Sequence, residues 1–239
     1  MCWGSFLNVV AYRLIKGDFF SPRSFCPKCK KIIVWYDNIP IISWIILKAK
    51  CRNCKTKISA LYPFIEIFTA ITMTALYLIV PTKYFFAYFI FFSALIVTIR
   101  TDIEFMLISR LTTIFLIPLA FIFSYFQLLP ISVTKSLLGI ILGYGFLFII
   151  SQLFYLLRKK KGMGEGDLEL LALIGAFLGP AGCWISLFLG SILGSVYGLI
   201  YMIKTKNRSA IIPFGHFLAF GAISYVLFGQ YLQKLILGF

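Results

Sequence analysis

The chain has 239 residues, of which 61% are hydrophobic and 18% aromatic, and only 13% are charged; its mean hydropathy is +0.95. Soluble domains carry about 25% charged residues, so a soluble globular fold is excluded, and the length is used in crossing a bilayer at about 20 residues per helix. The net charge of +15 does not point to nucleic acid, because the basic residues lie between apolar segments, which is how membrane topology is written.

In chain order, Met1 to Leu14 is apolar but too short to span. It reads either as the end of an incomplete first membrane helix, residues 1–15, or as a segment buried against other helices. A polar, basic stretch follows, from Arg13 to Lys57, whose only acidic residues are Asp18 and Asp37. Apolar segments then recur near 61–80, 84–101, 111–129, 132–157, 168–179, 183–203 and 213–232. Breaks fall at Pro81, Arg100 to Arg110, Leu129-Pro130, a basic glycine-rich stretch, Gly179-Pro180 and Lys204 to Arg208. The 168–179 segment is short for a crossing, so its helix is expected to begin before Asp167 or to extend through Gly182. The fold class expected is therefore all-α: a polytopic membrane protein with about seven complete transmembrane helices, an N-terminal helix fragment and a small cytoplasmic loop domain.

Lysine and arginine set the orientation. If the 13–57 loop is cytoplasmic, alternation brings 100–110, 158–161 and 204–208 to the same side, and together these hold 20 of the 23 basic residues. Only Lys83, Lys135 and Lys234 fall opposite. This is the positive-inside asymmetry, and it puts both termini on the outer side.

Within the loop, Cys26-Pro27-Lys28-Cys29 is followed after 21 residues by Cys51-Arg52-Asn53-Cys54. Two C-x-x-C knuckles at this separation suit a tetrahedral site in which Cys26, Cys29, Cys51 and Cys54 bind zinc as thiolates. Metal binding would supply the folding free energy that a loop with little apolar content lacks. Four protein ligands leave no open position, so the expected zinc is structural. A redox dithiol pair or unliganded cysteines are the other readings. Cys2 and Cys183 lie in apolar segments and read as small buried residues.

The basic cluster Arg158 to Lys161 leads into Gly162-Met163-Gly164-Glu165-Gly166-Asp167. A carboxylate thus stands where a membrane helix begins, on a turn whose Gly164 and Gly166 permit close approach. Asp167 alone reads equally as a helix N-cap or as a functional group. Asp102 ends an earlier apolar segment on the same side, 65 residues before it. Two such carboxylates can share a proton, one deprotonating water while the other polarises a carbonyl. Helix ends suggest a division of labour: Asp167 at a positive end as the base, Asp102 at a negative end as the acid. Glu104, Glu165 and Glu169 lie close to the same boundary and read as solvated or interfacial charge.

Several stretches together resemble the bacterial type IV prepilin peptidases. They are Gly4-Ser5-Phe6-Leu7-Asn8, the two cysteine knuckles with Asp37-Asn38-Ile39-Pro40 between them, Tyr62-Pro63 with Glu66, Gly164-x-Gly166-Asp167 with Gly175-Ala176, and Ile212-Pro213-Phe214-Gly215. The resemblance implies GxGD-type aspartic peptidase chemistry with Asp102 and Asp167 as the catalytic pair. It implies cleavage of prepilin or pseudopilin leaders of type IV pilus and type II secretion systems, at the cytoplasmic face of the bacterial inner membrane. It also implies N-methylation of the new terminus with S-adenosylmethionine. Residues 16–60 would be a zinc domain linked to methylation, and 61–239 the membrane-embedded peptidase domain. Partners would be the prepilin substrates and membrane lipid, with no nucleic acid.

Three positions depart from the family's pattern. Ile108-Ser109-Arg110 stands near the place of a usual Pro-Asp, Leu61 near a common arginine, and His216 in place of a proline. His216 reads as an interfacial polar group. Two alternatives stay open beside the bifunctional enzyme: a peptidase without methylation, and an inactive zinc-stabilised membrane assembly protein.

Overall fold

The computed structural model describes residues 1–17, 23–159, 162–205 and 212–237, with the backbone alone at Gln230 and 232–237. Asp18, Lys160, Lys161, Lys206 and Arg208, and the side chain of Lys234, lie outside the described residues. The chain forms two compact units, Met1–Ala75 and Leu76–Phe239. Among the described residues there are eight α-helices and no strands, only two isolated bridges.

The first unit holds α1 (Cys2–Lys16), the short α2 (Ile42–Ile46) and most of α3 (Leu61–Ile79). α1 lies against α3 closely enough that a Cβ on Gly4 would stand 2.9 Å from the Glu66 Cα. Asn8, 1% exposed, donates to the Tyr62 carbonyl at 3.2 Å. Glu66 is equally buried and accepts the Ile41 backbone N–H at 2.9 Å. Ile41 has φ +64°, a costly conformation for a β-branched residue, and the hydrogen bond to Glu66 helps hold it.

The second unit continues with α4 (Thr82–Phe105), α5 (Ile117–Tyr125), α6 (Val133–Arg158), α7 (Glu165–Thr205) and α8 (Gly215–Leu237). Each of the seven apolar segments is thus helical. α3, α4, α6 and α7 are long and apolar enough to cross a membrane, and Arg110–Tyr125 and Gly215–Gly229 are shorter apolar stretches. The 41-residue α7 is broken at Gly179 (φ 70°, ψ −173°), ahead of Pro180, which cannot continue the hydrogen-bond ladder. The 111–129 segment is not one helix. It opens with two 3₁₀ turns, Arg110–Thr112 and Ile114–Leu116. The Thr112 hydroxyl donates to the Ser109 carbonyl at 2.8 Å, which competes with helical pairing. Pro118 then suits the first turn of α5.

The first half of α7 is the centre of this unit. Residues 168–179 are buried without exception, and α5, α6 and α8 all pack on α7. Phe91 of α4 stacks on Phe177 with centroids 4.6 Å apart. α6 crosses α7 backbone to backbone: a Cβ on Gly139 would lie 2.1 Å from the Gly175 oxygen, and one on Gly175 would lie 2.1 Å from the Gly139 oxygen. Small residues permit this approach, and close packing is what joins helices in lipid. Ser136 donates to the Ala176 carbonyl at 2.7 Å beside the crossing. Large apolar side chains along α6, such as Leu137, Ile141 and Phe148, stay exposed, as lipid-facing sides require.

Candidate active site and metal centre

Asp102 lies in the last turn of α4, which closes on Met106 in the left-handed conformation with its N–H bonded to the Asp102 carbonyl. The side chain is 5% exposed. It turns toward the first turn of α8, where its Oδ2 accepts the His216 backbone N–H at 2.7 Å and faces His216 Nδ1 at 2.8 Å. The first N–H groups of a helix have no partner within it, and Asp102 supplies one across 114 residues of sequence. The Pro213-Phe214-Gly215 motif therefore delivers a helix start to a carboxylate. At Gly215 any side chain would intrude, because a Cβ there would lie 3.3 Å from the Asp102 Cγ and 2.6 Å from Ile108 Cδ1.

Asp167 stands in the first turn of α7 rather than at its N-cap, since the helix starts at Glu165. Its N–H bonds to the Gly164 carbonyl at 3.2 Å. Ile108 links the two aspartate turns: its Cβ is 2.9 Å from the position of a Cβ on Gly166, and its Cδ1 abuts Gly215. Asp102 and Asp167 come close enough to interact electrostatically. Ile108 thus stands between two turns whose carboxylates are 65 residues apart in sequence.

Glu169 corrects the reading of solvated charge. It is 7% exposed, accepts from Arg110 Nε at 3.1 Å and from Thr113 Oγ1 at 3.1 Å, and so ties the 3₁₀ segment to α7. Glu165, whose side chain is 70% exposed, faces the same Arg110 at 3.7 Å. Arg100, counted above as a boundary cation, is fully buried and pairs with Glu104 one turn on. His216 is likewise not interfacial, being 8% exposed. Hydropathy gave no sign of these pairings. A lone histidine directly after a Pro-Phe-Gly helix start was the available signal for His216.

The four cysteines Cys26, Cys29, Cys51 and Cys54 gather in the first unit, their sulfurs all within 4.8 Å of one another, and could hold a metal ion. The two knuckles are one turn built twice. In each, the first cysteine's carbonyl accepts from the residue after the second cysteine, Lys30 or Lys55. Both lysines take φ near +60°, at 59° and 57°. Each first cysteine donates its N–H five residues on, to Lys31 or Thr56, and one antiparallel bridge closes each turn. Hydrogen bonding with the Thr56 hydroxyl, and then with its backbone, pushes the Cys54 thiol down to about 6. Arg52 grips Asp37 through two hydrogen bonds of 2.6 and 2.8 Å and holds its carboxyl below the usual range. Cys183 is buried as expected, but Cys2, the first residue of α1, is exposed.

Residues 1–80 match the bacterial peptidase A24 N-terminal domain, and residues 89–199 match the type IV leader peptidase family. A relative from Escherichia coli, a "Type 4 prepilin-like proteins leader peptide-processing enzyme", is 31% identical over 97% of this chain and 91% of its own length. Relatives named "Prepilin leader peptidase/N-methyltransferase" are 32% identical. The one from Aeromonas salmonicida covers 97% of this chain and 89% of itself, and the one from Legionella pneumophila covers 99% and 91%. No solved structure matches the chain. With both domains matched and relatives aligned almost end to end, the chain belongs to the type IV leader peptidase family.

Proposed function

We propose that this protein cleaves the leader of type IV prepilins or type II secretion pseudopilins with Asp102 and Asp167 as a catalytic pair, and then N-methylates the new terminus. The packing of both aspartate turns on Ile108, through Gly166 and Gly215, supports the reading. Two carboxylates that repel share one proton at working pH. The ionised one takes a proton from water as the water oxygen bonds to the scissile carbonyl carbon. The protonated one gives its proton to the carbonyl oxygen. The tetrahedral adduct then collapses: the carbon–nitrogen bond breaks, the first carboxyl returns its proton to the leaving amine, and the second recovers one from an adduct hydroxyl.

The cysteine unit, within residues 16–60, would hold structural zinc through Cys26, Cys29, Cys51 and Cys54. Zinc–sulfur bonds of about 2.3 Å in a tetrahedron require sulfurs about 3.8 Å apart, and Cys26 Sγ and Cys54 Sγ are 3.8 Å apart. A four-thiolate site has no open position, so the ion would fold the loop rather than act on substrate. This unit would serve methylation, whose methyl group S-adenosylmethionine would supply, while residues 61–239 serve cleavage. The concentration of basic residues on one side favours the bacterial inner membrane with the active site at the cytoplasmic face.

The test is incubation of the purified protein with a synthetic prepilin in lipid, read by mass spectrometry for cleavage and for an added methyl group. Asp102→Asn and Asp167→Asn should each abolish cleavage yet still methylate a pre-cleaved pilin peptide. Cleavage by either variant at the parental rate would refute the pair. Cleavage without methylation by the parental protein would select a peptidase alone.

A further inference from the structure

We infer that His216 is a positioning residue for Asp102, and that it makes Asp102 rather than Asp167 the carboxylate that activates water. This rests on the peptidase reading above and adds to it a role for a residue that the family resemblance expects to be proline.

The geometry is specific. Asp102 Oδ2 has two partners on one residue, the His216 N–H at 2.7 Å and Nδ1 at 2.8 Å. One donor lets a carboxylate swing about the bonded oxygen, whereas two that converge on it fix the plane of the group. The imidazole is itself confined. It lies 3.9 Å from the Phe217 ring and 6.3 Å from Phe220, edge-on to the latter, and its side chain is 11% exposed. A ring so enclosed has little rotational freedom to lose, so the hydrogen bond is preorganised. The backbone N–H has its acceptor at Oδ2, and in the tautomer with the proton on Nδ1 the ring adds a second donor to the same atom.

Two hydrogen bonds donated to one oxygen stabilise a carboxylate and leave the other oxygen, Oδ1, to meet water. Asp102 Oδ1 then takes the water proton as the oxygen–carbon bond forms, and Asp167 gives the shared proton to the carbonyl oxygen. On collapse, Asp102 passes its proton to the departing amine and Asp167 recovers one from the adduct hydroxyl, so both return to their starting states. Helix ends alone suggest the opposite assignment. The direct contacts at under 3 Å outweigh a partial charge spread over a helix turn.

The experiment compares His216→Ala and His216→Asn with the parental protein in steady-state cleavage of a synthetic prepilin peptide, with Asp102→Asn and Asp167→Asn alongside. Alanine keeps the backbone N–H and removes the ring; asparagine puts an amide donor near the place of Nδ1. His216→Ala should lower kcat by about 10- to 100-fold, the range expected for a misoriented catalytic group, with KM changed less than about threefold. His216→Asn should recover kcat to within about fivefold of the parental value, since the donor is restored. Three results overturn the inference: kcat unchanged in His216→Ala, a loss confined to KM, or equal losses in both variants at parental thermal stability. If these occur while both aspartate variants are inactive, only the role of His216 fails. An inactive parental protein or an active Asp102→Asn would overturn the peptidase reading itself.

Discussion

Gly139→Ala and Gly145→Ala add the same methyl group to the same helix, yet they should move stability in opposite directions. At Gly139 the new Cβ would lie 2.1 Å from the Gly175 carbonyl oxygen and 2.7 Å from its carbon. Carbon–oxygen contacts begin near about 3.3 Å, so α6 must draw back by roughly 1 Å. The obstacle is backbone and cannot rotate aside. A gap of that size forfeits roughly a quarter to a half of the dispersion energy of each atom pair along the crossing. Overpacking of this kind costs about 1–3 kcal/mol. At Gly145 nothing lies within 4 Å of the added methyl, so alanine there should gain about 0.5–1 kcal/mol from helix preference alone. That gain is common to both variants, and the difference between them is the cost of the clash, about 1–3 kcal/mol. Equilibrium unfolding in mixed detergent micelles would measure it as a shift in midpoint. Gly139→Ala as stable as Gly145→Ala would refute the backbone contact between α6 and α7.

Cys26→Ser opens a four-coordinate site, so metal per chain should fall to near zero while cleavage drops less than methylation; a metal-free parental protein would refute the zinc reading. Asp37, whose carboxyl is held low by Arg52, contributes stability that is complete at neutral pH and is lost as pH falls through its lowered value, below the usual carboxylate range near about 4. Asp37→Asn should therefore weaken the cysteine unit at pH 7, followed by tryptophan fluorescence, with the difference closing in acid. Glu169→Gln leaves Thr113 and Arg110 an uncharged partner and should cost about 1 kcal/mol in thermal unfolding, discounted because Arg110 is largely exposed. No change there would show that the strap between the 3₁₀ segment and α7 is idle.

Hydropathy was enough to find every long helix, because a membrane demands sustained apolar runs and the chain obeys that demand from Leu61 onward. Gly179-Pro180 marked its own break for the same local reason. The interruption at Thr113 was not visible, since it depends on the Thr112 hydroxyl choosing the Ser109 carbonyl and the Thr113 hydroxyl choosing Glu169. Charge reading did worse than apolar reading. Arg100, Glu169 and His216 were assigned to the boundary because each stands near one in sequence, and all three are enclosed. Their partners sit 4, 59 and 114 residues away, and only the first of these separations has a local signature, the i, i+4 spacing of a helix. The cysteine cluster was legible because its residue type and spacing carry chemistry whatever surrounds them.

The burial of residues 168–179 has a consequence for how the protein meets different membranes. A helix segment surrounded by protein has no lipid to match, so bilayer thickness acts on it only through its neighbours. α6 presents exposed apolar faces to lipid and meets α7 through bare backbone at Gly139 and Gly175. The second half of α7 is exposed as well, at Phe188, Val196 and Leu199, so hydrophobic mismatch would act on α6 and on that half, and residues 168–179 would feel it through the glycine crossing and the break at Gly179 rather than from lipid directly.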